Sequence, residues 1–340
     1  MLTLTKHTKN CSSNSLDKSI WITWEHQRRN ISLCHHLNIP LFELAWLQKI
    51  DNKILKYYNG LLLTWKELCR RAPRLIISQN PSIILALFVT IYCLLTKRKS
   101  VIDAHNAGLF PKEGKNWLLN RVSKFIQRFS HLTIVTNEAL KHVVQHNGGI
   151  GYVLPDPIPN LSNQPKLELH SSFNILFICS YAKDEPYMNV LVAAHSLDDT
   201  FHIYVTGDYR KAKLDPRQVP PNVTLMGYIS EDSYLAMLQS VDATIDLTER
   251  ENCLVCGAYE SVAAGRPMVL SGSEAIQRYF SKGAIFTDNT VAGLVAAIKG
   301  VHQEYSRLLD EVRDLKATKQ SQWAIAGDEL KKIIERMLVE

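Results

Sequence analysis

The sequence predicts two doubly wound α/β domains, and three observations lead to this prediction. Short apolar runs alternate with helical patterns along most of the chain, as in the βα units of a parallel sheet. The first runs are apolar on both faces, which is typical of strands covered by helices on both sides. The alternation pauses once, over residues 155–172, where "PDPIPNLSNQPKLELHSS" holds four prolines. A chain of 340 residues also suits two domains of roughly 100–200 residues each.

The first series of apolar runs predicts five strands, at residues 20–24, 75–78, 100–104, 132–136 and 152–154. Between the third and fourth of these strands, the stretch "WLLNRVSKFIQRF" has apolar residues at the helical period and predicts an amphipathic helix. Residues 1–18 are polar and lack the apolar region of a signal peptide, so we expect a loose tail. We therefore place the N-terminal domain at 19–158 and an interdomain linker at 159–172.

The second series predicts six more strands, at residues 174–179, 202–206, 223–226, 243–247, 267–270 and 284–287. From about residue 291 onward the pattern is almost entirely helical. We place the C-terminal domain at 173–310. The helical segment at 311–340 follows it and could return to the N-terminal domain.

Charge differs between the two halves of the chain. Residues 1–160 carry 21 Lys/Arg against 9 Asp/Glu, a net charge of +12, whereas residues 161–340 carry 18 against 24, a net charge of −6. A basic half suits an anionic surface or a phosphate-bearing partner, and the alternative of a solvated basic surface stays open. The seven cysteines are odd in number and no signal peptide is evident, which favours free thiols in a reducing cytoplasm.

The basic half also contains the features expected of a membrane interface. The run "IILALFVTIYCLL" at 83–95 is shorter than the roughly 20 residues that span a bilayer, so it predicts a buried helix or, alternatively, a shallow embedded one. Three basic residues follow it at 97–99, and three more lie on the polar side of the amphipathic helix, Arg121, Lys124 and Arg128. Basic residues beside aromatic ones suit an anionic membrane, whereas no nucleic-acid-binding module is recognisable.

The stretch "NCLVCGAYESVAAGRP" at 252–267 predicts a helix with two distinct sides. At 100° per residue, Leu254, Val255, Ala258 and Val262 would face the sheet, and Glu260 would lie among small residues on the other side. The predicted helix N-terminus near 252–254 could bind phosphate, and Glu260 could accept hydrogen bonds from sugar hydroxyls. An ordinary surface glutamate is the alternative.

The cysteine pair in this stretch does not predict a metal site. Cys253 and Cys256 supply two thiols, whereas a structural zinc ion takes four ligands, and no second pair follows. We expect no metal and no cofactor.

Polar residues follow several predicted strands, where open α/β sheets bind their ligands. "EHQRRN" follows the first strand, "DAHNAG" the third, and "TEREN" leads into the stretch at 252–267. Asp103 and His105 come from the second of these segments. Glycines follow two further strands, at Gly207 and Gly227.

The segment "ENCLVCGAYESVAAGRPMVLSG", followed by "GAIFTDNTVAGLVAAI", resembles the donor-binding segment of family 4 (group 1) glycosyltransferases. The resemblance covers about residues 174–300 and includes "LMGYISEDSYLAMLQSVDATIDL". It implies the GT-B architecture, with two facing Rossmann-like domains. The chain departs from the family pattern at Asn252, where the family has an acid, and in the loop "SYAKDEP", which offers only Lys183 as a cation.

The resemblance implies roles for particular residues. Glu260 would bind the ribose of a nucleotide-diphosphate sugar, and His105 and Asp103 would serve catalysis. The other donor contacts would come from Asn252, Cys253, Leu254, Gly227, Lys183, Arg250 and Gly207. The acceptor contacts would come from Glu25, His26, Arg28 and Asn106.

The function expected from these features is transfer of a sugar to a saccharide acceptor carried on a lipid, in surface polysaccharide or glycoconjugate synthesis. The resemblance favours retention of the anomeric configuration, and the enzyme would lie in the cytoplasm on the inner face of the membrane. Two alternatives stay open. One is a nucleotide-sugar epimerase on the same scaffold, and the other is a non-catalytic partner subunit, which Asn252 supports.

Overall fold

A computed structural model describes residues 15–80, 82–169 and 171–339. Residues 1–14, most of the predicted tail, lie outside the described residues. The chain forms two compact units, one that runs to Pro155 and includes the C-terminal residues from Ile325, and one that comprises Asp156–Ala324.

The first unit is a parallel six-stranded sheet with the order β2-β1-β3-β4-β5-β6. The strands are β1 Ser19–Thr23, β2 Leu41–Glu43, β3 Leu75–Gln79, β4 Lys99–Asp103, β5 Leu132–Val135 and β6 Gly151–Val153. The helices are α1 Arg28–Leu37, α2 Lys53–Arg71, α3 Ile83–Thr96, α4 Asn106–Leu109, α5 Trp117–Phe129 and α6 Glu138–His146. All five predicted strands are present.

The edge strand β2 has no counterpart in the sequence prediction. It comprises three partly exposed residues, "LFE", which pair with β1. Three residues are too few to show the two-residue period of a strand. The neighbouring "LAWLQ" is equally apolar, so apolar character does not mark where this strand ends. By contrast, every residue of β1, β3 and β5 is buried, in agreement with their continuous apolar pattern.

The second unit is also a parallel six-stranded sheet, with the order β12-β11-β10-β7-β8-β9. The strands are β7 Phe173–Phe177, β8 Phe201–Thr206, β9 Val223–Gly227, β10 Ala243–Asp246, β11 Met268–Ser271 and β12 Ala284–Thr287. The helices are α7 Tyr187–Ala194, α8 Glu231–Ser240, α9 Cys256–Ala264, α10 Glu274–Tyr279 and α11 Val291–Gln303. All six predicted strands are present.

The final helix, α12, runs over Tyr305–Val339 and belongs to both units. Its first part buries Leu308, Val312 and Leu315 in the second unit. Its last part belongs to the first unit, where the Tyr152 hydroxyl donates a hydrogen bond of 2.7 Å to the carbonyl of Ala326. This last part also buries Leu330, Ile334 and Leu338, so one helix contributes buried apolar side chains to both units.

Candidate functional site

The topology of the second sheet marks one crevice for ligands. β7 and β10 are neighbours, and the chain leaves β7 towards β8 but leaves β10 towards β11, on the opposite side. Ligands of open α/β sheets bind at such a switch point, beyond the carboxyl ends of the two strands. The loops that border it are residues 178–186 and 247–255, and the predicted donor residues Lys183, Arg250 and 252–254 lie on them.

The helix at this crevice begins later than the sequence predicted. α9 begins at Cys256, after an extended Val255 with φ −83° and ψ 137°, so residues 252–254 belong to the preceding loop. The cause is a buried carboxylate, since the backbone N–H of Ala258 donates a bond of 3.0 Å to Asp246 at the end of β10. Asp246 thereby supplies the acceptor that an N-cap side chain normally provides.

Asp246 is enclosed by its surroundings. A Cβ at Gly257 would lie 2.5 Å from the Asp246 carboxylate and 2.7 Å from Ile178, so only glycine fits there. Burial, and then the neighbouring charge of Glu185, raises the pKa of Asp246 well above its usual range. Glu260 adds to this effect, which places Glu260 within electrostatic reach of the crevice.

A second carboxylate of the chain occupies the loop after β7. Glu185 accepts hydrogen bonds from the backbone N–H groups of Ser180 (2.8 Å) and Ala182 (3.0 Å), and from the Ser180 hydroxyl (2.7 Å). The intervening Tyr181 has a φ of 59°. Converging backbone N–H groups of this kind form an anion-binding nest, and here Glu185 fills it.

The two predicted cations of the crevice differ in their surroundings. Lys183 is exposed to solvent. Arg250 forms an ion pair with Asp184 (3.0 Å), and Asp184 also accepts a bond of 2.8 Å from the Thr248 hydroxyl. The two loops are therefore tied to each other through Asp184.

The remaining predicted donor residues surround the same loops. Glu260 is half-buried on α9 and accepts a hydrogen bond from the hydroxyl of Tyr234 on α8. Asn252, Cys253 and Leu254 are half-buried, and burial raises the pKa of the Cys253 thiol.

The two predicted glycines both have positive φ, 86° at Gly207 and 72° at Gly227. A Cβ at Gly207 would lie 2.2 Å from the Cys179 carbonyl, so the loop after β8 packs closely on the start of the loop after β7. A Cβ at Gly227 would meet only the Tyr209 ring, at 3.6 Å.

In the first unit, the strand ends are held by a buried ion pair. Arg29 on α1 donates to both carboxylate oxygens of Asp103, through Nη2 at 2.8 Å and Nε at 3.0 Å, and both side chains are almost fully buried. Arg29 Nη2 also donates to the Leu154 carbonyl at 2.8 Å. The predicted catalytic carboxylate Asp103 therefore has a structural partner and no exposed surface.

His105 lies beside this pair, at the N-cap of α4. Its Nε2 is 3.9 Å from the Asp103 carboxylate, beyond hydrogen-bonding distance, and its side chain is partly exposed. Asn106 is the first residue of α4 and is also half-buried. Of the predicted catalytic pair, His105 is thus the member with exposed side-chain surface, and its Nε2 atom itself is buried.

The predicted acceptor residues after β1 are spread along one loop. His26 Nδ1 lies 3.1 Å from Glu43, and Glu25 accepts a bond of 3.3 Å from Gln48. Arg28 is exposed at the start of α1.

Sequence reasoning missed a buried polar network behind this loop. Gln79 at the end of β3 accepts bonds from the Thr23 hydroxyl (2.7 Å) and the Asn30 amide (3.0 Å) and donates to Gln27. The sequence does carry a signal for this network. The polar pair "QN" directly follows the apolar run "LIIS", just as polar residues follow the other predicted strands. By contrast, nothing in the sequence shows that Arg29, rather than the adjacent Arg28, pairs with Asp103.

Comparison with solved structures identifies the architecture. Sucrose-phosphate synthase from Thermosynechococcus elongatus superimposes with a TM-score of 0.75 at 12% identity, over 94% of this chain and 99% of that chain. HepE from Anabaena, in complex with UDP, superimposes with a TM-score of 0.69 at 10% identity, over 94% of this chain and 99% of that chain. The chain has the GT-B fold.

The same fold includes a different class of enzyme. UDP-GlcNAc 2-epimerase from Methanocaldococcus jannaschii superimposes with a TM-score of 0.53 at 10% identity, over 83% of this chain and 92% of that chain. No family model and no curated protein sequence matches the chain. At these identities the GT-B likeness establishes architecture, and the chemistry has to be argued from the residues.

The described residues contain neither a membrane-spanning helix nor a metal-binding cluster. No helix among them combines the length and the apolar character needed to cross a bilayer. Within residues 15–80, 82–169 and 171–339, no three His, Cys, Asp or Glu side chains form a group that could hold a metal ion.

The raised pKa of Asp246 predicts a pH-dependent stability. Because its folded-state pKa lies above an unfolded value of about 3.9, folding takes up a proton, and the free energy of unfolding falls as pH rises through the folded-state pKa. Asp246→Asn keeps an oxygen acceptor for α9 and removes this titration. We expect the melting temperature of the variant to exceed that of the wild type at pH 8 and the difference to shrink towards pH 4. The exposed Asp199→Asn is the control, and an equal difference at both pH values would contradict the prediction.

The buried ion pair predicts a large effect at Arg29 and almost none at its neighbour. Arg29→Met leaves Asp103 as an uncompensated buried carboxylate and should cost about 3–5 kcal/mol of the free energy of unfolding, measured by urea denaturation. Arg28→Met is the matched control and should change it by about 0.5 kcal/mol or less. The double variant Arg29→Met/Asp103→Leu should recover most of the loss. Equal effects of the two single variants would count against the pairing.

Proposed function

We propose that the protein is a family 4 glycosyltransferase that takes its sugar from a nucleotide-diphosphate donor bound to the second unit. The observation that carries this proposal is the position of Glu260. It is a half-buried carboxylate, oriented by Tyr234, within electrostatic reach of the strand end at the switch-point crevice. A carboxylate in that place suits the hydroxyl groups of a ribose. The solved HepE structures, which share the fold, hold UDP and UDP-glucose.

The diphosphate would lie at the two loops that border the crevice. Lys183 and Arg250 are on these loops, one on each, and are the cations that would stabilise the leaving diphosphate without a metal ion. The residues Asn252, Cys253 and Leu254 would contact the donor sugar. Gly227 would allow the nucleotide base to approach the backbone.

Catalysis would depend mainly on positioning, because transfer at an anomeric carbon passes through an oxocarbenium-like transition state. His105 would be the catalytic side chain supplied by the first unit. Asp103 would hold the strand end next to His105 through Arg29 rather than act as a base. The resemblance favours retention, and Glu25, His26, Arg28 and Asn106 would bind a saccharide acceptor.

A lipid-linked acceptor and an anionic membrane are supported by where the exposed apolar side chains lie. Of the nineteen large apolar side chains exposed among the described residues, fifteen belong to the first unit. Ten of these are on α2, α3 and α5, including Leu95 (80% exposed) and Trp117 (68% exposed). Contacts between α2 and α3 and between α3 and α5 join the three helices into one row.

Basic side chains accompany this apolar row. The Arg121 guanidinium lies 5.7 Å from the Trp117 ring centre, and that of Arg128 lies 5.7 Å from the Phe129 ring centre. Aromatic and basic groups together suit the headgroup region of an anionic bilayer. The enzyme would therefore work in the cytoplasm on the inner face of the membrane, in synthesis of a surface polysaccharide or glycoconjugate.

Vesicle flotation tests the membrane association. The protein should float with phosphatidylglycerol vesicles at low salt and less at high salt, because surface charges are screened. Arg121→Glu/Arg128→Glu should weaken binding roughly tenfold or more, since each basic residue near the surface contributes about 1 kcal/mol. Arg210→Glu/Arg217→Glu makes the same charge change at exposed positions of the second unit and is the control. Equal flotation of the two double variants would refute the proposed surface.

A thermal-shift panel with UDP, GDP, ADP and CMP tests the donor site. One nucleotide at 100 times its dissociation constant should stabilise the protein by about 2.7 kcal/mol, a rise of about 2–4 °C in the melting temperature. Glu260→Ala should abolish the shift, whereas Glu274→Ala, an exposed position on α10, should keep it. Retention of the shift in Glu260→Ala would exclude the ribose contact.

A second candidate function has a specific observation in its favour. Glu185 and Asp246 fill the two sets of backbone N–H donors at the crevice, so a diphosphate would meet carboxylates of the chain there. A non-catalytic partner subunit would have such a crevice and would show no shift with any nucleotide. An epimerase on the same fold would bind UDP but would release no transferred sugar to an acceptor.

A further inference from the structure

A cavity of about 550 Å³ lies among α4, α5, α6 and the loop after α4, all within the first unit. One part of its lining is apolar and comes from Leu109, Phe110 and Val143. Another part is basic and comes from Lys124 on α5 and from His142 and His146 on α6. The proposed transfer reaction uses none of these side chains.

The basic side chains are arranged to meet one ligand. His142 and His146 are four residues apart on α6, so they share one side of the helix, and Lys124 lines the same cavity from the neighbouring helix α5. An ammonium group and imidazole N–H groups are donors for an oxyanion. No carboxylate is among the described residues that line the cavity, and the two carboxylates carried by these helices and this loop form ion pairs, Glu113 with Lys115 and Glu138 with Lys141.

The loop at the edge of the cavity is held in an unusual conformation. Three successive residues have positive φ, Lys112 (50°), Glu113 (56°) and Gly114 (73°). Left-handed backbone costs roughly 1–2 kcal/mol for each residue other than glycine, so the surroundings must maintain it. The Asn120 amide on α5 does so by donating a bond of 2.6 Å to the Gly114 carbonyl. Strained backbone of this kind concentrates at ligand-binding sites.

The cavity also adjoins the proposed membrane surface. α5 supplies Lys124 to the cavity and exposes Trp117, Leu118 and Phe129 in the row of helices described above. A ligand that combines a phosphate with an alkyl chain would match the two parts of the lining.

We propose that this cavity binds the phosphate group of an anionic lipid. Lys124, His142 and His146 contact the phosphate oxygens, and Leu109, Phe110 and Val143 contact the start of the alkyl chain. This inference rests on the proposed membrane association of the first unit and deepens it, because it names the lipid chemistry recognised there. General attraction to a charged bilayer requires no such cavity, so the two ideas make different predictions.

Isothermal titration with soluble probes tests the proposal. The probes are dihexanoyl phosphatidic acid below its micelle concentration, inorganic phosphate and dihexanoyl phosphatidylcholine. The full chain should bind the phosphatidic acid roughly tenfold more tightly than either other probe, because only that probe offers both a phosphate monoester and an apolar chain. His142→Gln/His146→Gln should weaken this binding roughly tenfold, and Lys124→Gln should do the same. The matched control is His35→Gln/His195→Gln, which changes two exposed histidines elsewhere.

Each contrary result would overturn the proposal. Equal affinity for inorganic phosphate and for the lipid would leave a phosphate site without a lipid subsite. Binding that survives both the double histidine variant and Lys124→Gln would place the ligand elsewhere, and no binding of the lipid would remove the site altogether. The titration uses neither nucleotide nor bilayer, and flotation uses variants that keep Lys124 and both histidines. Failure here is therefore distinguishable from failure of the donor site or of the membrane surface.

Discussion

Both units depend on how polar groups are paired at the carboxyl edge of a parallel sheet whose central strands are buried. The strands leave backbone N–H groups and side chains at this edge, and little water reaches them, so each group needs a partner within the protein. In the first unit Arg29 and Asp103 meet this need and hold α1 against the end of β4. In the second unit Asp246 fixes the first turn of α9, and Glu185 fixes the loop after β7. The positions of the candidate site residues follow from these pairings.

The same pairings give the second unit an unusual electrostatic character. Asp184, Glu185, Asp246 and Glu260 all approach the switch-point crevice, where a glycosyl donor would bring a diphosphate. Burial, reinforced by the neighbouring charges of Glu185 and Glu260, raises the pKa of Asp246. Donor binding would have to overcome this field through Lys183, through Arg250 and through rearrangement of the loops. The contrast with the basic first unit fits the proposed division, in which the second unit would bind the donor and the first would face an anionic surface.

The strands were predictable because their signal is local. Eleven of the twelve were found from short apolar runs, and only β2 was missed, since three half-exposed residues show no period. The start of α9 was placed too early because nothing in "NCLVCGAYE" distinguishes loop from helix. The carboxylate that fixes it, Asp246, comes from a strand ten residues upstream of the helix. An N-cap supplied from another element leaves no signature next to the helix it caps.

The sequence by itself determined the architecture and pointed to the site. Apolar periodicity, the pause at 155–172 and the segment around Glu260 led to two doubly wound units and to the loops after β7 and β10. Only the tertiary structure decided what surrounds each candidate residue. It placed Arg29, rather than the adjacent Arg28, on Asp103, and it seated Glu185 in the backbone nest at Ser180–Ala182. The reason is physical: periodicity records which face of an element is buried, whereas the partner of a buried charge depends on residues far apart in the chain that come together only in the folded protein.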